Sequence, residues 1–217
     1  MPRDTRSARF LQLGREHRDA VAAIAEAAFR QNPFYERAVG LDARTFPAYW
    51  RAFFELALSG DTAAVYALER DGDIVAAVAT GFDGFPRPSS FARFLARLLF
   101  ELGPGAWWRY VRFALAYGRA MHRPAAERRL EACGLWLFVK PDASSVGLGS
   151  RLVREATEAV RRRGKLLLTG FVDAGNRPLL TFYRRNGFRV LPPFAFGGLE
   201  AVRVERWLLP GGVAPTC

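Results

Sequence analysis

At 217 residues the chain suits one domain; half of it is apolar and 13% aromatic, which excludes a disordered chain and predicts a sizeable core. Its net charge of +11 is almost wholly arginine, since Lys140 and Lys165 are the only lysines. Such a surface attracts anionic ligands but says nothing of fold. Cys133 and Cys217 with His17 and His122 complete the cysteine and histidine inventory, so neither a disulfide framework nor a metal site is expected. The segment MPRDTRSARFLQL lacks the apolar run of a signal peptide, and no stretch reaches the ~18 apolar residues of a membrane span. A cytoplasmic protein with no membrane partner is expected.

In chain order, a short strand is predicted near Phe10–Leu13, then a helix over Ala20–Phe29 ended by Asn32-Pro33. A second helix covers Arg44–Leu58, with Phe46, Tyr49, Trp50, Phe53 and Phe54 on one broad face. Ala63–Glu69 and Ile74–Thr80 read as a hairpin around Asp71-Gly72. After a loop over 83–88, Ser89 or Ser90 is the expected cap of a helix whose stripe is Phe91, Phe94, Leu95, Leu98, Leu99 and Leu102. Gly103-Pro104-Gly105 breaks it, and an aromatic helix over Ala106–Met121 follows. Leu135–Val139 reads as a buried central strand, and Ser150–Arg163 as a helix closed by Gly164. Leu166–Val172 is a strand and Pro178–Arg185 a helix closed by Asn186-Gly187. Strands near Phe188–Leu191 and Leu199–Leu208 complete the set.

The order strand, glycine turn, helix around Gly147 and Gly149 makes an anion site. Unpaired N–H groups and the helix dipole both point at the ligand. Val146, Gly147, Gly149 and Ser150 are the expected donors to a pyrophosphate. No Gly-Lys-Ser/Thr follows, and Leu152 stands where a dinucleotide fingerprint needs its third glycine. A plain strand-to-helix turn would read the same way.

The surrounding residues resemble the GCN5-related N-acetyltransferase (GNAT) family. Val139-Lys140-Pro141, then Ser144-Ser145-Val146-Gly147-Leu148-Gly149, then Ser150-Arg151-Leu152 match its V-x-P strand end and glycine loop. Asn176, followed by Phe182-Tyr183-Arg184-Arg185-Asn186-Gly187-Phe188, matches its second element. The departure is at Ser144-Ser145, where the family carries Gln or Arg and then Gly-Arg or Gly-Lys. Ala28-Phe29, Pro33, Asp42, Phe53-Phe54 and His122-Arg123-Pro124, with a long insert over 85–123, look like the puromycin N-acetyltransferase-like branch.

The resemblance implies an α/β fold: one domain over residues 1–217, with a mixed, mostly antiparallel sheet of six or seven strands and helices on both faces. It implies acetyl-CoA as co-substrate, bound by a core over 135–191 through Phe138, Val139, Val146, Gly147, Leu148, Gly149, Ser150, Arg151 and Asn176. A main-chain N–H of Phe138 or Val139 would polarise the thioester carbonyl. Tyr183 would be the general acid. Asn176 reads equally as a helix cap, and Phe138, Val139 and Tyr183 as packed core. Glu36, Asp42, His122, Glu131 and Asp173 are bases to consider, none singled out. The expected function is acetyl transfer to an amine, of a small molecule rather than a protein, by direct attack in a ternary complex. Alternatives are a degenerate acyl-CoA-binding domain, motivated by Ser144-Ser145, and a basic nucleic-acid binder, motivated by charge. The aromatic insert is a lid over the acceptor cleft, or else plain packing or a homodimer face.

Overall fold

The computed structural model describes residues 7–30, 39–42, 44–60, 62–82, 85–120, 129–143, 147–196 and 199–209. Its strands are β1 (Arg9–Gln12), β2 (Ala63–Arg70), β3 (Asp73–Phe82), β4 (Glu131–Val139), β5 (Leu167–Asp173), β6 (Arg189–Phe196) and β7 (Leu199–Trp207). Its helices are α1 (Arg18–Phe29), α2 (Phe46–Leu58), α3 (Pro88–Ala120), α4 (Leu148–Arg162) and α5 (Arg177–Arg185). The strands form one sheet of seven in the order β1-β2-β3-β4-β5-β7-β6. All neighbours are antiparallel except β4 and β5, which run parallel and are joined through α4. This is the expected class, at the upper strand count.

Local chemistry explains the elements. Asp71 and Gly72 both take positive φ, 55° and 84°, the geometry of a two-residue turn that matches strand twist. Pro193 falls in β6, an edge strand, beside a break in register, where a missing ladder donor is tolerated. The insert helix begins at Pro88, so Ser89 and Ser90 lie in its first turn instead of capping it. Proline is favoured there, because its absent N–H would have had no intrahelical partner. Gly103 (φ 76°, ψ 168°) divides α3 into two halves, and the Trp107 indole ties them together by donating to the Leu95 carbonyl at 2.8 Å.

The sheet separates two cores. On one face α1, α2 and α3 enclose Trp50, Tyr49, Phe46 and Phe54, all at most 1% exposed. On the other, α4 and α5 bury Leu148, Leu152 and Val160. The α3 insert is anchored at two places: Arg109 donates to the Gly40 carbonyl and Arg203 to that of Ala120. Phe94 and Leu98 of its leucine stripe are buried, whereas Leu99 faces out together with Phe100 and Trp108. The insert is thus packed on the sheet and also presents an apolar outer side. Among the described residues no helix is long and apolar enough to cross a membrane. Trp50 is the largest fully buried side chain. Trp50→Ala should therefore lower unfolding free energy by about 3–5 kcal/mol, read as a lower urea midpoint at unchanged slope.

Candidate active site

The parallel ladder between β4 and β5 lasts three rungs: Glu131 with Leu167, Ala132 with Leu168, and Cys133 with Thr169. Beyond them the strands part. Two glycines stand at the fork. A Cβ on Gly134 would lie 3.2 Å from the Thr169 carbonyl oxygen, and one on Gly170 would lie 3.6 Å from that of Gly134. On its other edge β4 carries a bulge: Trp136 pairs with Ala79 and Gly134 with Thr80, which leaves Leu135 as the extra residue. The bulge bends β4 where β5 leaves it. A cleft of about 120 Å³ fills the fork, lined by Leu137, Phe171, Val153 and Ala156 and by Asn176 and Tyr183.

Main-chain direction separates the two strand residues expected to bind co-substrate. The Lys140 N–H donates to the Val75 carbonyl at 2.9 Å, and Phe138 pairs with Ala77 two positions on. Ladder bonds on one edge recur at every second residue. Phe138 therefore turns its N–H and C=O to β3, while Leu137 and Val139 turn theirs to the fork. The Phe138 side chain packs edge-on against Phe29 and Phe54 in the other core. Val139 and Leu137 thus face the fork with their main chain, and Phe138 is a sheet and core residue.

Gly147 caps α4 in the left-handed region (φ 74°), with open space where a Cβ would be. Conformation, not crowding, requires glycine here. Gly149 is inside the helix, and its requirement is packing: a Cβ would meet the Phe182 ring at 3.3 Å and Val139 at 3.5 Å. The first intrahelical bond runs from the Arg151 N–H to the Gly147 carbonyl. The N–H groups of Leu148, Gly149 and Ser150 precede it, and these open the helix toward a ligand. Arg151 departs from expectation. Its N–H is used within the helix, and its guanidinium, half-buried, donates to Glu155 and to the Ala8 carbonyl, both at 2.6 Å. It braces α4 against the segment before β1. Val146, with the departing Ser144 and Ser145, lies outside the described residues.

Asn176 is the cap of α5, its side-chain oxygen accepting from the Leu179 N–H at 3.1 Å, and it also lines the fork. The cap reading is what the hydrogen bond shows. Tyr183 lines the fork between Phe182 and Phe188, ring to ring at 5.4 and 5.1 Å. Burial, with a smaller contribution from Cys133, pushes its phenol up to about 12. It holds its proton at neutral pH, as an acid must.

A second cavity of about 550 Å³ lies on the α2/α3 side of the fork, walled by Tyr49, Phe53, Phe91, Tyr110, Phe113 and Tyr117. It shares Leu135, Trp136 and Phe171 with the first. Glu131 and Cys133 line it, and the Thr169 hydroxyl donates to Glu131. The Tyr117 hydroxyl lies 3.1 Å from the Cys133 sulfur. Burial pushes the Cys133 thiol up to about 11, aided by the nearby Glu131 charge, so it is not an activated nucleophile. Of the other bases considered, Asp42 caps the turn before α2, accepting from the Arg44 and Thr45 N–H groups, and Asp173 accepts from the Gly175 N–H while lining the fork. Glu36 and His122 lie outside the described residues, as do Pro33, Arg123 and Pro124 of the resemblance to one branch of the family. The fork glycines Gly134 and Gly170 and the aim of Leu137 escaped the sequence reading. Their signal was a lone glycine inside each apolar strand, which marks a bulge or a close backbone approach.

Buried phenols give the fold an alkaline limit. Burial also raises Tyr49, Tyr110 and Tyr117 above the ordinary phenol range. The unfolded chain releases these protons near pH 10, and the native state holds that of Tyr183 to about 12. Their contribution to stability is complete below pH 10 and is lost as pH rises through 10 to 12. Urea midpoints should be unaffected by these groups up to about pH 10 and fall above it, with phenolate absorbance rising together with unfolding.

Residues 109–190 match the family model described as acetyltransferase (GNAT) domain. No curated protein matches the sequence. Among solved structures, an agmatine N-acetyltransferase superposes with TM-score 0.64 at 17% identity, covering 93% of this chain and 100% of that one. The ribosomal-protein-alanine N-acetyltransferase of Brucella melitensis gives 0.59 at 17%, covering 92% and 99%. The PaiA N-acetyltransferase of Thermoplasma acidophilum, in complex with coenzyme A, gives 0.54 at 14%, covering 91% and 98%. At these identities the structures speak for the fold, and the family model matches the stretch from the middle of the insert helix to β6. The chain is thus similar to the GNAT acetyltransferase domain over residues 109–190 and shares its fold with the solved N-acetyltransferases.

Proposed function

We propose that the protein transfers the acetyl group of acetyl-CoA to the amine of a small molecule, by direct attack within a ternary complex. One observation carries the reading: β4 and β5 part after three rungs, the opening is lined by Val153 and Ala156 of α4 and by Tyr183, and the start of α4 at Gly149 packs against Val139 at the end of β4. The pantetheine arm would enter as a substitute for the missing rungs, bonding to the main chain of Leu137 and Val139. The pyrophosphate would lie at the N–H groups of Leu148, Gly149 and Ser150, where the helix dipole favours negative charge. These donors are main-chain groups, so they do not depend on the Gln or Arg that the sequence lacks at Ser144. That favours a working site over a degenerate one.

The chemistry then follows from what lines the fork. A neutral amine forms the C–N bond at the thioester carbonyl, whose developing charge meets a strand N–H. The C–S bond breaks as the tetrahedral adduct collapses, and the departing sulfur takes the Tyr183 proton. The proton shed by the nitrogen restores the phenol through solvent. The raised Cys133 thiol supports direct attack over an acetyl-cysteine intermediate.

Acetyl-CoA at a hundredfold over Kd should stabilise the protein by about 2.7 kcal/mol, raising Tm by roughly 5–10 °C. Gly147→Glu, which sets a carboxylate at the helix start, should abolish the shift. Tyr183→Phe should keep it and lower kcat about 10²–10⁴-fold. A wild type that shows no shift, or a Tyr183→Phe variant with full kcat, would sink the assignment.

A further inference from the structure

We infer that the acceptor is a primary amine carried on an apolar aryl or alkyl body, seated in the aromatic chamber with its nitrogen beside Glu131. The inference rests on the acetyltransferase reading and adds the substrate class. The chamber and the fork share Leu135, Trp136 and Phe171. A body in the chamber therefore presents its end to a thioester in the fork. The chamber volume, about 550 Å³, is that of an ordinary small-molecule site.

The walls select against polar bodies. The Tyr49 hydroxyl faces that of Tyr110 and the Trp136 indole. Tyr117 is engaged with Cys133. These side chains thus spend their polar groups on one another and offer ring surface to a ligand. A second charge or an unpaired hydroxyl placed here would lose its water without a partner. Ring faces do attract a single cation.

Glu131 is the one carboxylate among the described residues that line the chamber. It starts at the first rung of the parallel ladder, but its bond to Thr169 brings the carboxylate forward to the last rung, beside the fork. An amine arrives protonated. It is drawn to this carboxylate and surrendered to an apolar site that favours its neutral form. Glu131 takes one proton from the ammonium, directly or through one water, and passes it to solvent. The freed lone pair attacks the thioester. Glu131 is then a proton acceptor placed by the Thr169 hydroxyl.

The test measures thiol release from acetyl-CoA with 2-phenylethylamine, hexylamine, spermidine and glycine. The two apolar amines should exceed the others in kcat/KM by on the order of 10². Ala114→Trp fills the chamber from α3; it should raise KM for 2-phenylethylamine at least ~10-fold and leave the acetyl-CoA thermal shift intact. Glu131→Gln should move the rate of 2-phenylethylamine turnover to alkaline pH. With 2,2,2-trifluoroethylamine, already neutral at pH 7, the variant should lose far less, an outcome that mere structural damage would not produce. Spermidine or glycine turned over as well as 2-phenylethylamine, or a silent Ala114→Trp, overturns the acceptor assignment while a normal acetyl-CoA shift leaves the transferase reading standing. No acetyl-CoA shift at all overturns that reading and the acceptor with it.

Discussion

The site depends on the place where β5 stops pairing with β4. A parallel ladder satisfies main-chain groups rung by rung, and ending it inside a sheet leaves donors and acceptors facing a gap. Here the gap is prepared on both edges of β4. The Leu135 bulge bends the strand away on the β3 side, and Gly134 and Gly170 allow the backbones to stay close at the vertex. The groups of Leu137 and Val139 that lose a strand partner are the ones a linear amide-bearing ligand can satisfy. Helix α4 is the next α-helix after β4, and its start packs back on the end of that strand, with Gly149 against Val139. A single interruption of the ladder thus underlies both the track proposed for the arm and the anchor proposed for the phosphates.

The two faces of the sheet divide the work. The α4/α5 face is an aliphatic core of Leu148, Leu152, Val160 and Leu180, and it presses Tyr183 into the fork. The α1/α2/α3 face is aromatic and leaves a gap of about 550 Å³ between its rings. The chamber is that gap, walled by α2 and α3 together. Its outer wall is the long insert, held by Arg109 at Gly40 and by Arg203 at Ala120. The insert's apolar outer side, Phe100 at 90% exposure and Trp108 at 55%, belongs to no cavity described above.

Several residues turn out to do different work from what their motif positions suggested. Arg151 stands in the phosphate motif, yet it braces α4 through Glu155 and Ala8. Gly149 answers the Phe182 ring before any phosphate. Phe138 gives its main chain to β3 and its ring to the opposite core. In each case the motif position held while the side chain or N–H was drawn to a nearer partner.

Much of this was legible in the chain alone. Hydrophobic periodicity placed nearly every element, and glycine after an arginine-rich helix end marked its stop at Gly164. The pairing of a glycine loop with Asn176 and Tyr183 pointed to the family and located the fork's contents. Those signals are local: each depends on residues within one or two turns of each other. The aim of the main chain at Leu137 and Val139 depends on register with β3, and register is a relation between distant segments. The same holds for the vertex at Gly134 and Gly170, and for the meeting of Glu131 with Thr169 over an aromatic chamber built from α2 and α3. Residue types and spacing fixed which chemistry was available; only the tertiary structure decided which groups face each other across the fork, because that follows from how separate strands pair and part.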